Sequence, residues 1–453
     1  MDNKIVFTER LTNFYRYPGI CRFQDEIEDM ESYLSYLKTP HPRDRPVVIY
    51  LHIPFCRSMC NYCPFYKVFY KKLDSQTMDR FVDMMALELK KYAQEPFFHH
   101  VPIVNVNMGG GTPMVLETRH LQKLLTTIYT HFNTEECEVI SIEGDPITLQ
   151  DKDKINALKE MGLTRVSFGI QTFNEKLRKK LNVESTVPDI YKAVNTLETC
   201  DIKEWGCDLL YNCPDQNVNE IRYNVDRICE MQPSVVDIYD LNISPNTVIH
   251  KMIEKNHFKS IPTNQKEIRM FKAVMETFAQ NDFEQVRSVN FQPRGYPYSS
   301  KGLLFTFSMD IIAIGPSART FLYSGHRNYR NHCSIENYIE SLARDQYPIE
   351  AGNIASDEIL EERDMVLFPY YLKLHKNKIN YHRFKDKIHD MVVSGYIKEN
   401  GDFLQLTDLG KLWAGSVQYY FHSEYEKDKM AKSMFLCLQK GKNLFNQDAM
   451  NCP

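Results

Sequence analysis

The chain has 453 residues, of which 43% are hydrophobic and 25% charged, with a net charge of −4. This length predicts two domains, or one barrel with a small appendage. The charge balance gives no reason to expect a nucleic acid or an anionic membrane as a partner. No apolar run approaches the roughly 18 residues of a membrane span, and the N-terminus lacks the apolar core of a signal peptide. We therefore expect a cytoplasmic protein.

The predicted elements alternate between strand and helix over most of the chain. Short β-branched runs predict strands at 47–53, 103–108, 138–144, 165–171, 207–212, 235–243, 284–291 and 309–315. A helix capped by Ser75 follows the first strand, and further helices are predicted at 116–131, 151–162, 187–199, 217–231 and 265–280. This alternation predicts an α/β fold with parallel strands and helices outside. The pattern leaves open whether the sheet closes.

From about residue 355 the pattern changes to helices and two short strands around Asn400-Gly401. Because Leu406-Thr407-Asp408-Leu409-Gly410 opens another helix, this part resembles a small winged-helix unit. Its balanced charge favours a lid or substrate-docking role over DNA binding. The predicted divisions are an N-terminal segment packing on the barrel at 1–45, the barrel at 46–350, a C-terminal helical or winged-helix-like domain at 351–423, and a tail at 424–453.

The most distinctive feature is the cysteine triplet Cys56, Cys60 and Cys63, spaced C-x3-C-x2-C. Three thiolates ligate only three irons of a four-iron cluster, whereas clusters used for electron transfer normally have a fourth cysteine. A closed zinc site would also require four ligands. The spacing therefore indicates a cluster with one iron open for chemistry.

Polar residues follow consecutive predicted strands, at the edge where α/β folds place their active sites. The loop GGGTP at 109–113 allows close backbone approach to a ligand, and it is not a Walker loop because no Gly-Lys-Ser/Thr follows. Glu143, Gln171 and Asp208 offer groups for a charged amine or a ribose. Each alone fits a tight turn or a satisfied polar group, but their succession favours a ligand site.

The segments YLHIPFCRSMCNYC, GGGTP, EGDP, SFGIQTF and DLLYNCPDQ, followed by IAIGPSA and LTDLG, carry a family resemblance over roughly residues 12–420. In this order they resemble the oxygen-independent coproporphyrinogen oxidase branch of the radical S-adenosyl-L-methionine (SAM) superfamily. The resemblance implies a partial or full TIM-like barrel with a small C-terminal domain. It also implies a 4Fe-4S cluster, SAM, a small-molecule substrate, and an external electron donor of the flavodoxin or ferredoxin type.

The resemblance also implies roles for individual residues. Cys56, Cys60 and Cys63 would hold the cluster. The implied SAM-binding residues are Tyr17, Tyr62, Gly110, Gly111, Thr112, Glu143, Gln171 and Asp208. Within this set Gly110 and Gly111 would line the methionine moiety, and Tyr62 would lie against adenine.

Two positions depart from the pattern of the branch. Phe65 stands where the coproporphyrinogen oxidases have a further cysteine, which argues against that particular activity. Val183 stands where most of the branch has an arginine that would bind the SAM carboxylate. Arg178 or Lys180 is then a candidate for that task, or the site has changed.

The branch leaves three functions open. We expect class C chemistry, in which two SAM molecules serve methyl or methylene transfer to an sp2 carbon and give C-methylation or cyclopropanation. The first alternative is tetrapyrrole chemistry, either anaerobic heme opening or coproporphyrinogen oxidation, with His326, Arg327 and Arg330 as candidates to bind iron or propionates. The second alternative is a heme chaperone without turnover.

Overall fold

The computed structural model describes residues 4–11, 30–43, 45–241, 243–244, 247–297 and 309–428. Its strands are β1 (Val47–Ile53), β2 (Phe55–Cys56), β3 (Val68–Phe69), β4 (Ile103–Gly110), β5 (Val139–Gly144), β6 (Arg165–Gln171), β7 (Glu204–Tyr211), β8 (Val235–Asp240), β9 (Phe283–Gln285), β10 (Asn290–Pro293), β11 (Asp310–Ile314), β12 (Arg319–Leu322), β13 (Arg327–Asn331), β14 (Ile349–Ile354), β15 (Lys373–His375), β16 (Ile397–Asn400) and β17 (Phe403–Leu406).

The helices are α1 (Met30–Leu37), α2 (Ser75–Ala93), α3 (Thr118–His131), α4 (Lys152–Glu160), α5 (Glu175–Leu181), α6 (Val187–Thr199), α7 (Val218–Glu230), α8 (Val248–Glu254), α9 (Asn264–Gln280), α10 (Ile335–Ala343), α11 (Asp357–Tyr371), α12 (Tyr381–Val393), α13 (Asp408–Leu412) and α14 (Ala414–Phe421). Among these described helices, none combines the length and apolar character needed to cross a membrane.

One sheet organises the larger part of the chain, in the order β14-β13-β12-β11-β1-β4-β5-β6-β7-β8-β10-β9. The strands from β11 to β8 in this order run parallel, and antiparallel strands extend the sheet at both ends. Helices connect successive parallel strands. The prediction of an α/β fold with a TIM-like barrel is confirmed, and the open strand order makes the barrel a partial one.

The two faces of the parallel strands differ in polarity. In β6, Val166, Phe168 and Ile170 are buried in the main apolar core that the sheet shares with the helices. The alternate residues face the inside of the barrel because successive side chains of a strand point to opposite faces. We call this inner space the lumen, and define it by Asn105, Asn107, Ser141, Glu143, Ser167, Asp208 and Asp237. The inner face is therefore polar from β4 to β8.

Two local predictions are wrong. The stretch 284–291 is not one strand but the antiparallel pair β9 and β10, because the chain turns at Arg287 and Ser288, where the Val286 N–H donates to the Asn290 carbonyl at 3.0 Å. Helix α2 is capped by Asp74 rather than Ser75, since the Asp74 carboxylate accepts a hydrogen bond from the Thr77 N–H at 2.7 Å.

The C-terminal part has its own apolar core, which lies between α11, α12, α14 and the antiparallel sheet β15-β17-β16. Residues 4–11 join this part to the barrel. The Phe7 ring lies 4.7 Å from the Tyr396 ring, and Arg10 donates both to Glu267 on α9 and to the Leu412 carbonyl at 2.8 Å. The N-terminal segment thus ties the C-terminal part to the barrel.

A buried carboxylate fixes the loop that follows β11. Glu88 on α2 is fully buried and accepts hydrogen bonds from the Gly315 N–H at 2.9 Å, Asn331 Nδ2 at 2.8 Å and the Tyr338 hydroxyl at 2.5 Å. Gly315 has a positive φ, and a Cβ there would lie 2.3 Å from the His52 carbonyl oxygen. Glu88 therefore holds this loop against the end of β1.

Glu88 makes the stability of the apoprotein depend on pH. Burial raises its pKa from 4.5 to about 7, against the opposing effect of its three hydrogen bonds. Because the folded state then binds more protons than the unfolded state between pH 4.5 and about 7, the free energy of unfolding falls as the pH rises through this window. Glu88→Gln removes this contribution. We expect the stability of the wild type relative to Glu88→Gln to decrease by at most about 3 kcal/mol across the window.

Denaturant unfolding of both proteins from pH 4 to pH 8 measures this difference. Glu340→Gln on α10 is the control, because Glu340 is largely exposed. A wild-type-minus-variant difference that stays constant with pH would contradict the assignment.

Candidate active site

The cysteine loop lies at the carboxyl ends of the parallel strands and is anchored by backbone hydrogen bonds. The Asn61 N–H donates to the Leu181 carbonyl at 2.9 Å, and the Ile249 N–H donates to the Asn61 carbonyl at 3.0 Å. Asn182 Nδ2 donates to the Met59 carbonyl at 2.9 Å. The loop is therefore held between the end of α5 and the start of α8. Cys56, Cys60 and Cys63 within it are all partly buried.

The glycine loop after β4 lies directly against the cysteine loop. The Gly111 N–H donates to the Ile53 carbonyl at 2.8 Å, and the Thr112 N–H donates to the Phe55 carbonyl at 2.7 Å. A Cβ on Gly111 would lie 2.6 Å from the Phe55 oxygen and 2.9 Å from the Cys56 sulfur. Only glycine fits this contact. Gly110 has a φ of +111°, a backbone conformation that also favours glycine.

Three carboxyl groups lie in the lumen beneath these loops. Glu143 accepts a hydrogen bond from the Gly110 N–H at 3.2 Å, and burial raises its pKa to about 7. Asp208 on β7 is paired in register with Asp237 on β8. Burial, followed by the charges of Asp237 and Glu143, raises the pKa of Asp208 well above its usual value. A ligand that brings a positive charge or hydrogen-bond donors would stabilise the ionised forms of these groups.

Gln171 is directed into the lumen by a local irregularity. Its φ is +66°, and the pairing of β6 with β7 shifts register between Gly169 and Gln171. The Gln171 amide folds back over Gly169, where a Cβ would lie 1.9 Å from Nε2. The backbone shift therefore places the amide beside Asp208, which pairs with Gly169.

Of the two predicted tyrosines, Tyr62 lies beside the site and Tyr17 is not among the described residues. Tyr62 lies within electrostatic reach of Cys60 and Asp208, and burial is the main cause that raises its pKa well above the usual range. Val183 packs with Tyr62 on the same small apolar cluster between α5 and α8.

The two candidate cations near Val183 have partners in the protein. Arg178 donates to the Ser185 carbonyl at 2.8 Å, the Thr172 carbonyl at 2.8 Å and the Ser185 hydroxyl at 2.6 Å. Lys180 Nζ lies 2.7 Å from the Asp215 carboxylate. Arg178 thus fixes the chain that follows Gln171, which is a structural task.

Comparison with known proteins agrees with this geometry. Residues 50–228, from β1 to α7, match the family model of the radical SAM superfamily. The chain carries a radical SAM domain. This domain contains the cysteine loop, the glycine loop, Glu143, Gln171 and Asp208.

Curated relatives and one solved structure are similar to the chain over most of its length. The chain is 27% identical to the heme chaperone HemW of Lactococcus lactis, over 73% of this chain and 82% of the relative. It is 25% identical to the anaerobilin synthase of Escherichia coli O157:H7, over 84% of each. The structure of coproporphyrinogen III oxidase from Escherichia coli has the same fold, with a TM-score of 0.76 and 19% identity over 91% of this chain and 99% of that one. The predicted coproporphyrinogen oxidase-like branch is confirmed.

The radical SAM superfamily uses a 4Fe-4S cluster and SAM, and the residues present fit both groups. Three thiols share one loop, and a glycine leaves room beside the Cys56 sulfur. Among the described residues, no three His, Cys, Asp or Glu side chains converge as ligands of a single metal ion. The lumen carboxyls and the Gln171 amide supply partners for an amine and a ribose.

Sequence reasoning did not single out Asp237. It occupies an inward position of β8 directly opposite Asp208, and it accepts hydrogen bonds from Asn290 and, at 3.3 Å, from Tyr239. The pattern VVDIYD carries a signal for it, because an aspartate between apolar residues of a strand marks the polar face.

Gly111→Ala tests the contact between the two loops. Because the added methyl group would overlap the Phe55 oxygen and the Cys56 sulfur, we expect the variant to retain less than half of the wild-type iron after anaerobic reconstitution. Gly401→Ala is the control, since its Cβ meets nothing within 4 Å and only its positive φ is strained. The control should lose about 1 kcal/mol of stability and no iron. Equal iron in wild type and Gly111→Ala would contradict the account.

Asp208→Asn and Gln171→Ala test the lumen as the SAM site. If the lumen binds SAM, Asp208→Asn removes a negative charge and Gln171→Ala removes an amide that would contact it, so we expect SAM to bind at least about tenfold more weakly while iron content stays at the wild-type level. Equilibrium dialysis with labelled SAM measures the affinity, and Asp345→Asn, at an exposed position, is the control. Loss of iron in these variants would instead mean that the two residues support the cluster loop.

Proposed function

We propose that this radical SAM enzyme transfers a methyl or methylene group from SAM to an sp2 carbon of a tetrapyrrole, with heme as the first candidate. The observation that carries the proposal is the cysteine loop packed on the glycine loop above a carboxyl-lined lumen. The substrate class is supported by the relatives, whose names are heme chaperone, anaerobilin synthase and coproporphyrinogen III oxidase.

Phe65 favours group transfer over porphyrinogen oxidation. It stands where the coproporphyrinogen oxidases have a further cysteine, and its side chain is 56% exposed beside the cysteine loop. An exposed phenyl ring next to the site offers a face for a flat aromatic substrate rather than a metal ligand or a thiol.

Individual residues would have the following roles in this reaction. The cluster and SAM, when bound, supply a 5′-deoxyadenosyl radical after an external flavodoxin or ferredoxin delivers one electron. Cys56, Cys60 and Cys63 would hold the cluster. Glu143 and Asp208 would hold the polar groups of SAM, with a second SAM in the lumen as methyl donor. The enclosing strands keep the reacting centres close and limit the access of water.

The decisive experiment follows two products of SAM together. Reconstituted enzyme is given SAM, a reductant and heme without oxygen, and 5′-deoxyadenosine and S-adenosylhomocysteine are both quantified. We expect both to form in a heme-dependent manner, and neither to form with Cys60→Ala, which cannot hold the cluster. 5′-Deoxyadenosine without S-adenosylhomocysteine would contradict group transfer and indicate hydrogen abstraction. Absence of both products with heme would contradict heme as the substrate.

A heme chaperone is the second candidate, because the relative from Lactococcus lactis carries that name. The same experiment separates it from the enzyme. A chaperone would bind heme in a fixed ratio and form neither product during the incubation.

A further inference from the structure

Helix α11 of the C-terminal part spans the open side of the barrel. Near its end, the Tyr370 carbonyl accepts a hydrogen bond at 2.9 Å from the Ser288 N–H, between β9 and β10. Two turns earlier, the Arg363 guanidinium lies 4.9 Å from the ring centre of Tyr323, just after β12. Strands β10 and β12 belong to opposite ends of the sheet order. The helix therefore closes the gap between these ends.

Arg287, at one end of this helix, is a mostly buried cation that lies over two tyrosine rings. It is only 8% exposed, and its guanidinium lies 4.9 Å and 5.6 Å from the ring centres of Tyr371 and Tyr370. Within the described residues its side chain makes no hydrogen bond or ion pair. Asp237 of the lumen is within electrostatic reach, and its carboxylate is hydrogen-bonded to Asn290.

Arg363, towards the other end of the helix, is similarly placed. It is also 8% exposed. Its Nε lies 3.3 Å from the neighbouring Asp364 carboxylate, while its Nη1 is buried and has no partner in the described part of the chain. Tyr323 beneath it packs with Val48 and Ile311, on the lumen side of β1 and β11. Both arginines thus border the lumen.

Arg327 and Arg330, two of the three basic residues singled out from the sequence to bind iron or propionates, are engaged in contacts within the protein. Arg330 is 1% exposed and lies 2.7 Å from the Glu350 carboxylate. Arg327 donates to the Gly325 carbonyl and, at 2.9 Å, to the Ser32 hydroxyl. These contacts leave Arg287 and Arg363 as the better anion-binding pair.

A buried guanidinium with unused donors is costly unless a ligand supplies acceptors. Its planar fork matches a carboxylate. Seven residues separate Arg363 from Tyr370, on which Arg287 stacks, and they span about 10 Å of helix. The arrangement suits one ligand with two separated carboxylates. The carboxyl groups of Glu143, Asp208 and Asp237 in the lumen would repel such carboxylates and so favour their placement at the arginines.

We propose that Arg287 and Arg363 bind the two carboxylates of the substrate, which are the propionates if the substrate is a tetrapyrrole. This assignment rests on the proposed function. It would orient the ring, because the edge opposite the propionates then points away from the two arginines and into the lumen.

Heme binding to the cluster-loaded protein tests the assignment. Titration without oxygen, followed by heme absorbance, compares wild type with Arg287→Gln and Arg363→Gln, and heme with heme dimethyl ester. We expect each variant to raise the Kd for heme about tenfold or more, and the lysine variants to lie in between because they keep the charge but lose the fork. The dimethyl ester should bind wild type with a higher Kd than heme does. The glutamine variants should not raise the Kd of the ester further. Arg294→Gln, an exposed residue on the same hairpin, should leave the Kd for heme unchanged.

The outcomes separate this inference from the proposed function. Iron content and thermal midpoint verify that each variant is folded. Suppose that wild type converts heme. If both glutamine variants then bind heme with the wild-type Kd, or if the ester binds wild type as tightly as heme does, the arginine assignment is wrong and the proposed function stands. If wild type binds neither heme nor the ester, both are wrong.

Discussion

The backbone contact between the cysteine loop and the glycine loop is the constraint on which the site depends. Two short N–H to carbonyl bonds, from Gly111 and Thr112, join the end of β4 to the chain that follows β1. The absence of a side chain at Gly111 lets the Cys56 sulfur lie against the backbone. Because β1 and β4 are neighbouring parallel strands, the same sheet edge then receives Glu143, Gln171 and Asp208 from the strands that follow.

Negative and positive side chains occupy different parts of the barrel, and each set would suit a ligand of the opposite charge. Carboxyl groups line the lumen beneath the cysteine loop, where burial raises the pKa of Glu143 to about 7. Arg287 and Arg363 border the open side, where helix α11 crosses from β12 to β10, and Nη1 of Arg363 has no acceptor among the described residues. A cationic SAM would lower the cost of ionising the inner carboxyls. An anionic substrate would lower the cost of burying Arg287 and Arg363.

Much of this was predictable from the sequence, and the failures have local causes. The β-branched runs predict the parallel strands. Because Cys56, Gly110 and Glu143 stand at or just after the ends of these runs, the sequence also predicts that they lie at one edge of the sheet. The hairpin of β9 and β10 was missed because Arg287 and Ser288 turn the chain inside a run of strand-like composition. The arginine pair was missed because its burial depends on the packing of α11 across the barrel, which no local pattern encodes.

The central claim is that three cysteines hold a cluster whose fourth iron binds SAM. Electron paramagnetic resonance of the reduced, reconstituted protein with and without SAM tests it most directly. The account predicts the spectrum of a reduced 4Fe-4S cluster whose g values change when SAM is added, since a ligand then reaches the open iron. A protein that binds no iron, or a cluster spectrum that SAM leaves unchanged, would contradict it.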